Sequence, residues 1–278
     1  MPKAVIVGCG FLGEAAADLL LETGWDVLGI CATSESAARF ASKPYEVRPL
    51  NVTGEFSAGP AWREVDALVH CAGPDRAVPE MYHLIYVEGL RNVLRGFTPR
   101  RFVVTASTSV YAQTDGSWVD EASETKPNRE TGRILLEAEA IALNSGGFVA
   151  RLSGLYGPGR SVLLRKFLSG EAVIEGDGTR WINQIHRDDA ASAVVRLLTH
   201  STPPGIYNVT DNAPATQRQL YGWLADAFHR PLPPAGPPDL DRKRGWTSKR
   251  VSNARLRQTG WQPTFPTYRE AIPFLNEA

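Results

Sequence analysis

The first half of the chain alternates short apolar runs with amphipathic stretches. Apolar, partly β-branched runs predict six strands buried on both faces, at residues 4–7, 25–31, 45–50, 65–73, 101–105 and 147–152. Helical patterns lie between them, at residues 15–21, 36–40, 88–97 and 131–143. Strands separated by helices imply right-handed crossovers, and therefore a parallel sheet covered by helices on both faces.

The second half of the chain has shorter elements and more glycine and proline. Residues 172–174 and 180–182 flank a Glu-Gly-Asp-Gly-Thr segment, which predicts a hairpin. Asp188 or Asp189 is expected to cap a helix at residues 190–198. Residues 205–209 predict one more strand, and five prolines at residues 230–238 predict an irregular segment.

A glycine motif follows the first predicted strand and opens the first predicted helix. It reads Gly-x-Gly-x-x-Gly, with Gly8, Gly10 and Gly13 around Phe11 and Leu12. In this context the first glycine permits a tight turn, the second lets the backbone approach a pyrophosphate, and the third allows close helix–strand packing. The helix N-terminus then faces the anion. The motif predicts dinucleotide binding by residues 8–13.

These patterns together predict an α/β fold: a Rossmann-type doubly wound parallel sheet with a smaller C-terminal substrate lobe. We expect residues 1–155 to form the dinucleotide-binding domain. Residues 156–278 are expected to form mainly the C-terminal lobe, with some segments returning to the sheet.

Composition excludes several classes of partner. Thirty basic and thirty acidic residues cancel, which argues against nucleic acid and anionic membranes as partners. No run is long enough for a transmembrane helix, and the first strand begins too early for a signal peptide, so a cytoplasmic location is expected. The three cysteines, Cys9, Cys31 and Cys71, are too widely spaced for a disulfide framework or a metal site, and no metal is expected.

The end of the second strand bears on the choice between NAD and NADP. NAD-specific sites usually place an acidic residue at this strand tip. Here no acid stands at the tip, Glu35 comes slightly late, and Thr33, Ser34 and Arg39 could receive a 2′-phosphate. We therefore expect NADP in preference to NAD.

Five segments in order resemble the extended branch of the short-chain dehydrogenase/reductase superfamily, the NAD-dependent epimerase/dehydratase group. The segments are residues 65–73, 87–94, 105–111, 151–159 (similar to Arg-x-x-x-x-Tyr-Gly-Pro-Gly) and 181–190 (similar to Ile-His-x-Asp-Asp-x-Ala). The resemblance implies that Cys71, Ala72 and Gly73 approach the cofactor and that Ser107 hydrogen-bonds a substrate oxygen. It also brings Tyr156, Arg160, Trp181 and Asn183 towards a substrate pocket. Tyr111, Tyr156 and Glu130 are the candidates for a proton donor, and the alternative for Tyr111 is that it packs behind the active site, as the Val-Tyr pair of that group usually does.

The chain departs from that group at its usual catalytic pair. No Tyr-x-x-x-Lys is present before the predicted helix at residues 131–143. An alignment on Glu137 places Arg133 at the lysine position and Arg129 at the tyrosine position; an alignment on Glu139 gives Leu135 and Thr131. In the first alignment, Arg133 is the candidate for a catalytic cation and ribose contact, although an arginine cannot donate a proton near neutral pH. Two smaller departures are Val7 at the first glycine position of the branch and Tyr86 where its central helix often begins with Asn.

Two functional hypotheses follow. The first is an NAD(P)-dependent oxidoreductase or epimerase acting on a small carbonyl or sugar-like substrate, for which a homodimer is one candidate assembly. The second is a dinucleotide-binding redox sensor or assembly factor with little or no catalysis, which the missing Tyr-x-x-x-Lys pair favours.

Overall fold

A computed structural model describes residues 1–54, 57, 59–74, 78–240 and 245–275. The strands are β1 (Lys3–Val7), β2 (Asp26–Cys31), β3 (Glu46–Pro49), β4 (Glu64–His70), β5 (Thr98–Ser107), β6 (Trp118–Val119), β7 (Phe148–Leu152), β8 (Gly154–Tyr156), β9 (Ile174–Glu175), β10 (Trp181–Ile182), β11 (Gln184–His186), β12 (Gly205–Val209), β13 (Ala215–Thr216), β14 (Ala235–Gly236) and β15 (Arg250–Val251).

The helices are α1 (Phe11–Glu22), α2 (Ser34–Ala38), α3 (Pro79–Tyr82), α4 (Gly89–Gly96), α5 (Glu130–Asn144), α6 (Val162–Leu168), α7 (Arg187–Thr199), α8 (Gln217–Phe228), α9 (Ala254–Arg257) and α10 (Tyr268–Ala271). A π-helical segment, His83–Glu88, joins α3 to α4 without a break. Short 3₁₀ turns occur at Pro60–Trp62, Thr108–Val110 and Ile272–Phe274.

The main sheet has seven strands in the order β12-β7-β5-β4-β1-β2-β3, and every neighbouring pair is parallel. Its strand order reverses direction at β1, so that crossovers place helices on both faces. One face packs against α1 and α7, and the other against α4 and α5. The predicted Rossmann-type doubly wound α/β fold is therefore confirmed.

The C-terminal part contains its own apolar cluster, formed by α6, α8 and α10. It is interrupted by α7 and β12, which return to the main sheet. Residues 241–244 and 276–278 of the predicted C-terminal lobe lie outside the described residues.

Two local predictions in this part were wrong. Ile174–Glu175 and Trp181–Ile182 do not form a hairpin with each other: the first pairs with β14 and the second with β13. The helix at residues 187–199 is capped by the ring of His186, whose Nδ1 accepts the Asp188 N–H at 3.3 Å, and not by Asp188 or Asp189. Asp189 instead accepts the N–H groups of Thr264 and Phe265 at 2.6 and 3.0 Å, which ties the C-terminal segment to α7.

Within the described ranges no helix is both long and apolar enough to cross a membrane. In the same ranges, no group of three or more His, Cys, Asp or Glu side chains could hold a metal ion.

Candidate functional site

The glycine turn joins β1 to α1 in the geometry that its three glycines permit. Gly8 has φ +93°, and a Cβ there would stand 2.3 Å from the backbone nitrogen of Ala72. A Cβ on Gly13 would stand 2.4 Å from the carbonyl oxygen of Gly8. A Cβ on Gly10 would meet nothing nearer than 4.0 Å, so this residue faces open space. The first and third glycines therefore allow close packing, and the second exposes backbone at the N-terminus of α1.

This turn opens onto a cavity of about 450 Å³ at the carboxyl ends of the strands, which is called the cleft below. It is lined by Gly8, Cys9, Gly10, Phe11, Leu12, Cys31, Ala32, Ser36, Arg39, Phe40, Cys71, Ala72, Gly73, Tyr82, Tyr86, Thr105, Ala106, Ser107, Leu135, Leu152, Ser153, Leu155 and Arg160. Among these described residues there are two arginines and no carboxylate. A dianionic or more highly charged ligand therefore meets no like charge on the cleft wall.

The shape and chemistry of the cleft fit a nicotinamide dinucleotide. A pyrophosphate placed at Gly10 would meet backbone N–H groups and the positive end of α1. The crevice continues in two directions, past β2 to Arg39 and Phe40, and past β4 and β5 to Gly73 and Ser107. Ligands of open parallel sheets bind at this edge of the sheet, beside the point where strand order reverses.

Three thiols surround the turn. Cys31 Sγ donates to the Cys9 carbonyl oxygen at 3.0 Å, and Cys71 Sγ donates to the Gly8 carbonyl oxygen at 3.2 Å. Burial raises the pKa of Cys9 to about 12 and raises that of Cys71 further above its usual value. The thiols are therefore protonated at neutral pH and act as small packing groups and hydrogen-bond donors.

The end of β2 is arranged differently from the sequence expectation. Thr33 caps α2, where its hydroxyl accepts the Ser36 N–H at 3.2 Å, and neither Thr33 nor Ser34 lines the cleft. Ser36 and Arg39 line it instead. Glu35 is exposed and lies outside the cleft lining.

The structure does not bring Arg133 to the cleft. Arg129 and Arg133 are exposed, whereas Thr131 and Leu135 are buried and Leu135 lines the cleft. The inward face of α5 thus follows the alignment on Glu139. The apolar side chain of Leu135 therefore lines the cleft, where the cation of Arg133 was expected.

A buried ion pair fixes that face of α5. Arg151 Nε and Nη2 donate to the two carboxylate oxygens of Glu139 at 2.9 and 2.6 Å, and both side chains are 3% exposed. Arg151 Nη1 also donates to the Tyr111 hydroxyl at 2.8 Å, which in turn donates to Asn208 Oδ1 at 2.9 Å. Tyr111 is fully buried behind the cleft with both partners satisfied. It is therefore a structural residue and is not placed to donate a proton to a ligand.

Of the five expected substrate contacts, the structure places Ser107 and Arg160 at the cleft. The guanidinium of Arg160 lies over the Phe11 ring, 5.0 Å from the centroid. Tyr156 is buried against His186 and Tyr268. The Asn183 amide is used within the protein: Nδ2 donates to the Lys249 carbonyl oxygen and Oδ1 accepts the Val251 N–H, at 2.9 and 2.7 Å. Trp181 lies outside the cleft lining, with the Arg250 guanidinium 5.0 Å from its ring centroid.

Ser107 ends β5 and lines the cleft, and its hydroxyl accepts the Ser109 N–H at 3.2 Å. Five further hydroxyl-bearing residues of the cleft lining were not predicted as site residues: Ser36, Tyr82, Tyr86, Thr105 and Ser153. Ser153 Oγ is buried and has no hydrogen-bond partner among the described residues. The two tyrosines could have been found from the sequence. They are four residues apart and come just before the helix predicted at residues 88–97, and residues four apart lie on one face of a helix.

Comparisons with known proteins agree with this geometry. A sequence model of the NAD dependent epimerase/dehydratase family matches residues 4–210. Protein YeeZ of Escherichia coli K12 is 30% identical over 233 residues, covering 81% of this chain and 83% of YeeZ. GDP-6-deoxy-D-mannose reductase of Pseudomonas aeruginosa is 28% identical over 239 residues, covering 74% of this chain and 78% of the reductase.

A solved structure from Methylobacillus flagellatus, which carries a provisional assignment as an NAD-dependent epimerase/dehydratase, superimposes with a TM-score of 0.80. It is 33% identical and covers 99% of this chain and 97% of its own. The matched region contains the glycine turn and the strand ends that form the cleft, in agreement with nicotinamide dinucleotide binding. The chain therefore belongs to the NAD dependent epimerase/dehydratase family.

Proposed function

We propose that this protein is an NAD(P)-dependent oxidoreductase or epimerase that acts on a small carbonyl or sugar-like substrate. The observation that carries the proposal is the position of the Ser107 hydroxyl in the same cleft as the glycine turn. A substrate oxygen bound by Ser107 would lie at the end of the cleft reached by a dinucleotide that is held at Gly10.

The roles of the chain's own residues follow from this arrangement. The backbone at Gly10 and the N-terminus of α1 bind the pyrophosphate. Ser107 orients the substrate oxygen, and Ser153, which follows the end of the neighbouring strand β7, lines the same cleft. The bound cofactor supplies a hydride donor or acceptor.

We propose NADP as the preferred cofactor. Arg39 and Ser36 line the adenosine end of the cleft, and no carboxylate of the described residues stands there to pair with ribose hydroxyls. A guanidinium can bind a 2′-phosphate through two charge-assisted hydrogen bonds.

The similarity to GDP-6-deoxy-D-mannose reductase adds sugar nucleotides to the substrates worth testing. The test combines NADPH and NADH fluorescence titrations with nicotinamide absorbance assays against a panel of aldehydes, ketones and 4-keto sugar nucleotides. Epimerisation of sugar nucleotides, which has no net absorbance change, is followed by chromatography.

Gly10→Val is the matched non-binding variant, because its side chain would enter the open space that the pyrophosphate requires. Gly222→Ala, on α8, is the control, since a Cβ there meets nothing within 4 Å. Turnover by the wild type and Gly222→Ala but not by Gly10→Val supports the proposal. Failure of both cofactors to bind the wild type contradicts it.

A second candidate is a dinucleotide-binding sensor or assembly factor. This candidate is favoured because Leu135 lines the cleft where a charged side chain was expected. Tight cofactor binding without turnover of any substrate on the panel would support this alternative.

A further inference from the structure

The central helix, which runs from Pro79 to Gly96, is not a regular α-helix. Its middle part, His83–Glu88, is π-helical, and Tyr82 and Tyr86 lie at and within this segment. A π-helical insertion changes the rotation of side chains around the axis, and such insertions occur frequently at functional sites. Here both tyrosines line the cleft, with ring centroids 5.3 Å apart.

The Tyr86 side chain reaches the floor of the cleft at the end of β4. Its hydroxyl oxygen lies 3.2 Å from the place that a Cβ on Gly73 would take. Gly73 follows β4, and Ser107 ends the neighbouring strand β5. The phenol and the Ser107 hydroxyl therefore line the same cleft, the first from the π-helical segment and the second from the end of β5.

The other protic side chains of the cleft are poorer proton donors. The serine and threonine hydroxyls are much weaker acids than a phenol, whose ordinary pKa is about 10. The Cys31 and Cys71 thiols donate within the glycine turn. Tyr82 is only 6% exposed, whereas Tyr86 is half-buried and so accessible from the cleft. Tyr111 is satisfied behind the cleft, and Leu135 supplies no proton.

We propose that Tyr86 is the catalytic acid and base, presented by the π-helical segment in place of a tyrosine on α5. The proposal rests on the function proposed above. In the reducing direction, the carbonyl carbon gains a hydride from the reduced nicotinamide while Tyr86 releases its hydroxyl proton to the carbonyl oxygen. The phenol O–H bond breaks, the alcohol O–H bond forms, and water reprotonates the phenolate. Oxidation of an alcohol runs the same steps backwards.

The first test measures where Tyr86 lies relative to bound cofactor and needs no substrate. Protein labelled with ¹³C at tyrosine Cζ is titrated with pH alone, with NADP⁺ and with NADPH, and Tyr86→Phe assigns the resonance. The positive charge of the oxidised nicotinamide should lower the pKa of Tyr86 by about one unit relative to the NADPH complex. Tyr82, assigned by Tyr82→Phe, is the matched comparison and should shift less.

The second test uses whichever substrate the panel identifies. Tyr86→Phe should lower kcat about 100-fold or more, as expected for loss of a general acid. The Kd for NADPH should stay within about twofold. The wild-type pH profile should show an ionisation that Tyr86→Phe lacks.

The outcomes separate the two proposals. NADP⁺ binding without a shift at Tyr86, or full kcat in Tyr86→Phe, overturns the role of Tyr86 and leaves the proposed function standing. Absence of cofactor binding overturns the proposed function itself. Binding without turnover of any substrate favours a sensor or assembly factor, and the catalytic role of Tyr86 fails with the enzyme proposal.

Discussion

The guanidinium of Arg160 lies over the ring of Phe11, 5.0 Å from its centroid, at the mouth of the cleft. Arg160 comes from the loop after β8, and Phe11 begins α1. This cation–π contact joins the segment after β8 to the glycine turn and holds a positive charge beside the place proposed for the pyrophosphate. Arg187 also lies over Phe11, at 5.4 Å, but its Nε donates to Asp188 at 2.7 Å.

Arg160→Ala should therefore weaken NADPH binding about tenfold or more, because a charge-assisted contact is lost. The effect should diminish at high salt. Arg187→Ala is the matched control and should change the Kd less, since its charge is already paired. Fluorescence titration at two ionic strengths measures both, and equal Kd values for Arg160→Ala and wild type would contradict the prediction.

Arg39→Gln should raise the Kd for NADPH about tenfold and leave the Kd for NADH within about twofold, because the guanidinium would bind only the 2′-phosphate. Glu35→Gln removes a nearby charge outside the cleft and should leave the ratio of the two Kd values unchanged. A wild-type preference for NADH would show that the end of β2 does not select the phosphorylated cofactor.

Glu139→Gln should destabilise the protein by about 3–5 kcal/mol, because Arg151 would remain buried without a carboxylate. Glu137 on the same helix provides the comparison: its contact with Arg91 at 3.3 Å is exposed, so Glu137→Gln should cost less than about 1 kcal/mol. Chemical denaturation measures both. Similar losses in the two variants would mean that the buried pair does not fix the inward face of α5.

Stability should fall as the pH drops below the ordinary range of histidine. His70 is fully buried, both ring nitrogens lack hydrogen-bond partners in the described structure, and desolvation lowers its pKa from 6.5 to about 4. The unfolded chain therefore binds a proton at higher pH than the folded chain. The stabilisation is complete above about pH 6.5 and is lost between there and about pH 4, a change on the order of 3 kcal/mol.

His70→Leu should flatten this part of the curve of unfolding free energy against pH. His200→Gln, at an exposed position, should leave its slope unchanged. If His70→Leu still lost the full amount of unfolding free energy at acid pH, groups other than His70 would be responsible for that loss.

The sequence was sufficient for features that depend on local pattern. The β1–turn–α1 unit could be predicted because Gly8, Gly10 and Gly13 each have a distinct steric reason. The hairpin prediction failed because Ile174 and Trp181 pair with strands at residues 235–236 and 215–216. The residues between Ile174 and Trp181 do not indicate pairing with strands so distant in sequence.

The inward face of α5 could not be chosen from the sequence alone. The alignments on Glu137 and Glu139 differ by two residues, and each leaves a carboxylate at a similar place along the helix. The deciding partner is Arg151, on β7, which buries only Glu139. The amphipathic pattern likewise began at residue 88, so the π-helical segment containing Tyr86 fell outside the predicted helix.

The order of the main sheet has a consequence for synthesis on the ribosome. β7 pairs with β5 on one side, but its other side stays open until β12, residues 205–209, has left the exit tunnel. The small pairing of β6 with β15 waits for residues 250–251. A nascent chain that has completed residue 152 therefore carries the glycine turn together with an unprotected apolar strand edge at β7. Such an edge can pair with other chains. Chaperone binding to this nascent chain should accordingly peak after β7 emerges and decline once β12 has docked.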